Sequence, residues 1–355
     1  MATEALRATE RAAEGNGQEP HQWRILISSQ GFYPRIGGIE TVTRILAEEF
    51  TELGHQVTVV TLDQASEPDR FPFRVVRRPR PARLWREVAA CDIYWQNHIG
   101  LKTAWPALFL RKPWVVTLQG GIGRGYQRTV KRAALENAVC VSISNFVAAQ
   151  EDYRVLVIRN PYDDRVFRRQ QTMRLRELVF VGRMNPEKGA TVLPEVVYLL
   201  GRRGLQTNLA VVGDGPEREL VMRQCLDLGL GGQVESTGVR QGVELAGILN
   251  AHQILVVPSL WDEPFGIVAL EGIACGCVVV GFDSGGLREA VGPCGVLVPR
   301  GDTPALADAI EELLRDPDRQ DALRARAEEH LAQFSRRRVA SNYLKLFQSL
   351  LNNGE

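Results

Sequence analysis

From Trp23 onward the chain alternates short runs of apolar and β-branched residues with stretches whose apolar positions recur at helical spacing. Arg24-Ile-Leu-Ile-Ser-Ser29 reads as a strand buried on both faces, because its apolar run is continuous rather than alternating. After a glycine-rich loop, Val42, Ile45, Leu46, Phe50 and Leu53 fall on one helical stripe, which Gly54 closes. The same pattern predicts strands at Gln56–Thr61, Arg74–Arg77, Asp92–Gln96, Trp114–Leu118, Val139–Ile143 and Val155–Ile158. A polar, arginine-rich segment at 160–176 interrupts it. The alternation then restarts, with strands at Leu178–Val181, Leu209–Val212, Gln233–Thr237, Ile254–Val257, Val278–Gly281 and Gly295–Val298. Helices are predicted from Lys188, Pro216, Gly242 and Phe265, and only helices follow Asp302.

Strand–helix alternation requires parallel strands joined by right-handed crossovers, so the fold class is α/β with doubly wound sheets. A chain of 355 residues suits two such domains. They are placed at 23–165 and 166–335, facing a central cleft, with residues 336–355 as a last helix packing back toward the first domain. Residues 1–22, rich in Ala, Glu, Gly and Gln, are predicted to be a disordered tail. Loops at the carboxyl ends of the strands would line the cleft, a favoured place for a ligand.

Composition narrows the class further. The chain is 45% hydrophobic and 24% charged with a net charge of +1, which gives no reason to expect nucleic acid as a partner. No apolar stretch approaches the ~18 residues of a membrane-crossing helix, so a soluble or at most peripheral protein is expected. Six cysteines are too sparse for a disulfide framework. The one close pair, Cys275 and Cys277, lacks the second cluster or nearby histidine of a zinc site, and reduced thiols suit a cytoplasmic setting.

The stretch Pro258-Ser-Leu-Trp-Asp-Glu-Pro-Phe-Gly-Ile-Val-Ala-Leu-Glu271 is the most informative. Pro264 is expected to open a helix whose first turn, Phe265-Gly266-Ile267, offers free N–H groups and the positive end of a dipole to a phosphate. Were the stretch helical throughout, Glu263 and Glu271 would lie roughly 12 Å apart, at about 1.5 Å per residue. That exceeds the ~5–9.5 Å of glycosidase carboxylate pairs and suits hydroxyls on either side of a diphosphate. A solvated Glu and a capping Glu are the plainer reading. Gly182-Arg183 and Lys188-Gly189 also follow a strand, placing two cations where they would neutralise a diphosphate, unless they are merely surface charges.

Taken with Gly37-Gly38, Gly213-Asp-Gly-Pro216, Ser284-Gly-Gly-Leu-Arg-Glu289 and Gly295-Val-Leu-Val-Pro299, these motifs resemble the retaining glycosyltransferases of family 4. The resemblance runs from about Trp23 to the C-terminus. It implies the GT-B fold, with a Rossmann-like acceptor domain followed by a Rossmann-like donor domain. It implies transfer of a sugar from a nucleoside diphosphate sugar, UDP-hexose by frequency in the family, with anomeric retention and neither cofactor nor metal. By the same resemblance Arg183 and Lys188 bind the diphosphate and Glu271 the ribose hydroxyls. Glu263 and the backbone of Phe265, Gly266 and Ile267 hold the transferred sugar and distal phosphate, which Gly37 and Gly38 reach from the other domain. The only Asp-x-Asp, Asp316-Pro-Asp318, reads as a turn and helix cap.

Two positions depart from the family pattern. Gln119 stands where the family usually has a histidine near the donor sugar. It can hydrogen-bond a hydroxyl but cannot act as a base near neutral pH. Asn160-Pro161 stands where Asn-Gly is common. Arg124, in a Gly-rich loop whose spacing is wrong for a dinucleotide fingerprint, and His98 are candidate acceptor contacts. Arg70 to Arg86 holds seven arginines and no acid, with Phe71, Phe73 and Trp85 interleaved, which fits either solvated surfaces or contact with an anionic membrane at the inner face or a lipid-diphosphate acceptor. The acceptor stays open among a cell-surface saccharide, a lipid-linked saccharide, a natural-product aglycone and a small polyol. Other GT-B enzymes, or a non-catalytic donor-binding partner subunit, are the rival readings.

Overall fold

The computed structural model describes residues 22–123 and 125–352. The predicted tail therefore lies outside the described residues apart from Gln22, as does Arg124. The chain divides into two compact units, one ending at Pro161 but including the last helix from Arg336, the other spanning Tyr162–Ser335.

In the first unit β1 (Arg24–Ser29), β2 (Gln56–Thr61), β3 (Arg74–Arg77), β4 (Ile93–Asn97), β5 (Trp114–Leu118), β6 (Val139–Ser142) and β7 (Leu156–Val157) form one sheet. Its order is β3-β2-β1-β4-β5-β6-β7, and every pairing is parallel. The order reverses between β1 and β4, so the loops leaving those two strands flank the switch point at which doubly wound sheets bind ligands. β4 and β5 are buried at every residue, and the two polar residues that end β4, Gln96 and Asn97, are hydrogen-bonded to Thr103 and Thr43. Helix Gly38–Glu52 buries Val42, Ile45, Leu46 and Phe50 and stops at Leu53-Gly54, where Gly54 has φ 91°. The last helix, Arg336–Asn352, packs on it: Phe347 meets Phe50 at 5.8 Å between ring centroids, and Tyr343 hydrogen-bonds Thr117 at 2.8 Å.

The second unit carries β8 (Arg176–Val181), β9 (Leu209–Val212), β10 (Val234–Gly238), β11 (His252–Val257), β12 (Val278–Phe282) and β13 (Gly295–Val298), all parallel in the order β10-β9-β8-β11-β12-β13. Here β8 and β11 flank the switch point. Its core joins Leu178, Phe180, Val211, Val256 and Val280 of the sheet to Leu193, Val197 and Ile310 of the covering helices. The segment after β8 is not the expected helix from Lys188. It forms two single 3-10 turns, Pro186–Lys188 and Ala190–Val192, before the α-helix Leu193–Arg202 begins. Gly189 between them takes φ 66°, a left-handed conformation that interrupts any continuous helix.

Candidate functional site

In the second unit the two switch-point loops meet. Lys188, from the loop after β8, places Nζ 2.5 Å from Oε1 of Glu263, from the loop after β11. Ser259 donates its hydroxyl to the same oxygen at 2.6 Å. Glu263 is buried at 6% exposure, so a paired cation and a hydroxyl donor are what make its charge tolerable there. The contact depends on Gly189. A Cβ at that position would stand 2.0 Å from the Pro258 carbonyl oxygen, and just beyond it Leu260 N–H donates to Glu187 O at 2.9 Å. Only a residue without a side chain lets the loops approach this closely.

The motif after β12 supports Glu263 from the other side. Gly286 N–H donates to the Glu263 carbonyl at 2.6 Å. The adjoining Ser284 hydroxyl is buried without a hydrogen-bond partner among the described residues, which leaves a donor to spare. Arg183 is exposed, and among the described residues its guanidinium has no acidic partner.

The helix that follows Glu263 differs from the expectation. Pro264 does not open it. The helix runs Ile267–Ala274, with Gly266 at its N-cap in the left-handed region at φ 107°. Phe265 and Gly266 thus lead into the helix that Ile267 begins, and the ~12 Å spacing drawn from a continuous helix does not apply. The helix still begins at the Glu263 loop and presents its unladdered N–H groups there. Glu271 lies farther along, half-buried, and its carboxyl takes no hydrogen bond from any described residue. Burial, and next the nearby Asp163 carboxylate, push its pKa up to about 8.

The first unit presents a separate group. Gln119 donates through Nε2 to Asn97 Oδ1 at 2.6 Å and to Asn160 Oδ1 at 3.1 Å, and its Oε1 accepts from Asn160 Nδ2 at 2.7 Å. Both ends of the amide are engaged. The neighbouring His98 sits at positive φ and accepts the Gln119 N–H through Nδ1 at 3.3 Å. Burial, and next the Lys131 charge, push its pKa down to about 4, so the ring is neutral near pH 7.

Gly37 is extended at φ 177°, so no left-handed strain calls for glycine there. A Cβ would instead lie 2.5 Å from Glu40 Oε2. Glu40 is buried in the first turn of the helix that Gly38 opens, with Arg35 3.3 Å away. The sequence reading missed Glu40, Ser259, Asn97 and Asp163, and it singled out Asn160 without its contact to Gln119. Glu40 alone carried a signal, as an acid three residues beyond a glycine that precedes a helix.

Two titrations of opposite sign follow. An unfolded Glu loses its proton near 4.5 while folded Glu271 keeps it to about 8, so its contribution to stability falls as pH rises through that window. For His98 the unfolded ring gains a proton near 6.5 and the folded ring near 4, so its contribution falls as pH drops through that window. Between about pH 6.5 and 8 only the Glu271 effect operates of these two. The melting temperature of wild type relative to Glu271→Gln is therefore expected to decline across that interval. A constant difference across it would show that Glu271 ionises normally.

Among the described residues no group of three or more His, Cys, Asp or Glu side chains is placed to hold a metal ion. Asp316 instead caps a helix, accepting from Arg319 N–H at 2.9 Å. All six cysteines are free and buried. No helix among the described residues is long and apolar enough to cross a membrane.

Comparison with known proteins gives two matching family models. One, described as glycosyl transferases group 1, covers residues 164–330, and the other, a glycosyl transferase 4-like domain, covers 37–169. A D-inositol 3-phosphate glycosyltransferase of Corynebacterium jeikeium is 38% identical over 186 residues, 50% of this chain and 44% of that one. The alpha-D-kanosaminyltransferase of Streptomyces kanamyceticus is 33% identical over 148 residues, 41% of this chain and 38% of that one. The chain thus spans less than half the length of these curated relatives. Among solved structures, a glycosyltransferase from Rickettsia africae superposes with a TM-score of 0.80 at 17% identity, covering 94% of this chain and all of that one. Anabaena Alr3699/HepE, in complex with UDP and glucose, gives 0.77 at 20%, covering 92% and 100%. At such identities these two establish the shared fold alone.

Proposed function

The chain belongs to the group 1 glycosyltransferases, of the family 4 type with the GT-B fold, and on that premise we propose that it transfers a hexose from a nucleoside diphosphate sugar to a saccharide or lipid-linked saccharide, with anomeric retention and without a metal. The observation that carries the reading is the convergence of Lys188, Glu263 and the Ile267–Ala274 helix start at one switch point. Lys188, Arg183 and the backbone of Phe265, Gly266 and Ile267 would receive the negative charge that develops on the departing diphosphate. Glu263 would hold hydroxyls of the transferred sugar. Glu271, protonated near neutral pH, would both donate to and accept from the ribose hydroxyls.

In this reading the bond from the sugar anomeric carbon to the phosphate oxygen breaks as an acceptor hydroxyl approaches the same face. That hydroxyl's proton passes to the departing phosphate oxygen. Such a path asks no side chain to serve as base, which suits an engaged Gln119 amide and a His98 with little basicity at pH 7. Gln119 is then a positioning residue. UDP is the first base to test, since the Anabaena neighbour holds it. The name of the Corynebacterium relative keeps a phosphorylated polyol in the acceptor panel.

The test is thermal-shift binding of UDP, GDP and ADP, with and without magnesium, on wild type and Glu271→Ala. One nucleotide at a hundred times its Kd is expected to stabilise wild type by about 2.7 kcal/mol, which appears as a rise of several degrees. The rise should be independent of magnesium and absent in the variant. No response to any of the three would remove the donor site and favour a chain that binds no nucleotide.

A further inference from the structure

Helix Leu101–Leu110 is apolar around most of its circumference, a pattern usually confined to helices buried on all sides. Here it is covered on one side only. Thr103, Ala104, Pro106 and Ala107 face the protein, while Leu101, Trp105, Leu108 and Phe109, at i, i+4, i+7 and i+8, form an outward stripe. Phe109 is 71% exposed. From the preceding helix, Pro81–Ala90, Trp85 stacks on Trp105 at 5.6 Å and approaches Phe109 at 6.4 Å, so the aromatic patch is continuous across both helices.

The charge around this patch is predominantly positive. Residues 93–135 contain seven basic residues and no acid, and 70–86 contain seven arginines and no acid. Apart from the exposed Glu136, the acids nearest in sequence are occupied: Glu87 pairs with Arg74 and Arg83, Asp92 with Arg24, Glu151 with Arg128, and Asp152 with Arg132. Arg80, Arg86, Lys102 and Arg111 are exposed on or beside the two helices, and none has an acidic partner among the described residues. The arrangement differs from the one the sequence suggested. Phe71 and Phe73 stack on each other and against Phe32, and Arg77 is tied to Asp69, so these members of the arginine-rich run take no part in the patch.

We propose that the Trp85–Trp105–Phe109 patch and its cationic rim form a docking surface for a bilayer leaflet rich in anionic lipid. Aromatic side chains favour the headgroup boundary, where an apolar body can be buried beside polar atoms. A rim of arginine and lysine gains from the negative surface potential of the leaflet, and the long stems let the charges remain at headgroup level. A second copy of the chain fits less well, because two such rims would oppose charges of the same sign. The surface shares no residue with the Lys188–Glu263 site, and its test does not depend on sugar transfer.

Vesicles of phosphatidylcholine alone, and with phosphatidylglycerol added, are sedimented with the full chain at low and high salt. Binding is expected only to the anionic vesicles, with a blue shift in tryptophan emission and a marked loss at high salt. Phe109→Ser and Arg86→Glu/Lys102→Glu should each lower the bound fraction about tenfold, while nucleotide-induced stabilisation is unchanged. Absence of binding to the anionic vesicles, or equal binding by Phe109→Ser, would overturn the proposal. So would a self-associated chain in gel filtration that Phe109→Ser converts to monomer, since the patch would then belong to a second copy.

Discussion

Lys188→Ala is expected to lower kcat/KM for sugar transfer by about 10²–10³-fold, the usual cost of removing a fixed group that stabilises charge developing in a transition state. The structure adds a second consequence. Glu263 lies 2.5 Å from the Lys188 ammonium and is buried at 6% exposure. Removing the lysine leaves that carboxylate with only the Ser259 hydroxyl; losing one partner of a buried ion pair costs about 3–5 kcal/mol, less here because the lysine is one-third exposed. Activity and stability should therefore fall together, and a second substitution separates them. In Lys188→Ala/Glu263→Gln the charge is gone, so the melting temperature should recover while activity does not. Near-wild-type turnover in Lys188→Ala, measured at saturating donor, would remove Lys188 from the site.

Gly189→Ala should be nearly as damaging for a different reason. An alanine there would hold φ near 66°, which costs a residue with a Cβ about 1–2 kcal/mol. Its Cβ would also stand 2.0 Å from the Pro258 carbonyl oxygen, a backbone atom that cannot swing aside like a side chain. A total loss of about 2–4 kcal/mol follows. The loops must part, drawing Lys188 from Glu263, and a displacement of about 1 Å at such a group can cost 10²-fold in rate. Gly204→Ala is the control. Gly204 also has positive φ, at 80°, but no atom lies within 4 Å of its Cβ position. It should show the conformational cost alone and keep full activity. Equal effects of the two substitutions would mean that the loop contact at Gly189 is unimportant.

The candidate site was legible in part. Arg183 and Lys188 stood out because Gly182 and Gly189 flank them after an apolar run, whereas Glu263 and Glu271 stood out through their spacing and the family resemblance. That Lys188 bonds Glu263, 75 residues away, was not legible, since no local rule pairs one loop with another. Gln119 illustrates the same limit. Its residue type excluded a base from the outset, but no local pattern signals that Asn97 and Asn160 between them engage both ends of its amide. The helix start was misplaced by three residues because Pro264 suits a first turn. The left-handed Gly266 that follows it is a backbone choice, set by its surroundings rather than by residue type.

By itself, the sequence determined the two parallel sheets, since strands buried on both faces must be continuous apolar runs and the intervening amphipathic stripes must cross over them. It also determined that glycines and cations would gather at the strand ends. The tertiary structure decided what those residues touch. It set the approach of the Gly189 loop to Pro258, which joins Lys188 to Glu263, and the burial that holds a proton on Glu271 to about 8. It also brought Trp85 against Trp105 and Phe109 while turning Phe71 and Phe73 inward toward Phe32. The physical reason is range. Periodicity and propensity act over a few residues along the chain, whereas a desolvated charge or an exposed aromatic patch depends on atoms brought together from distant segments.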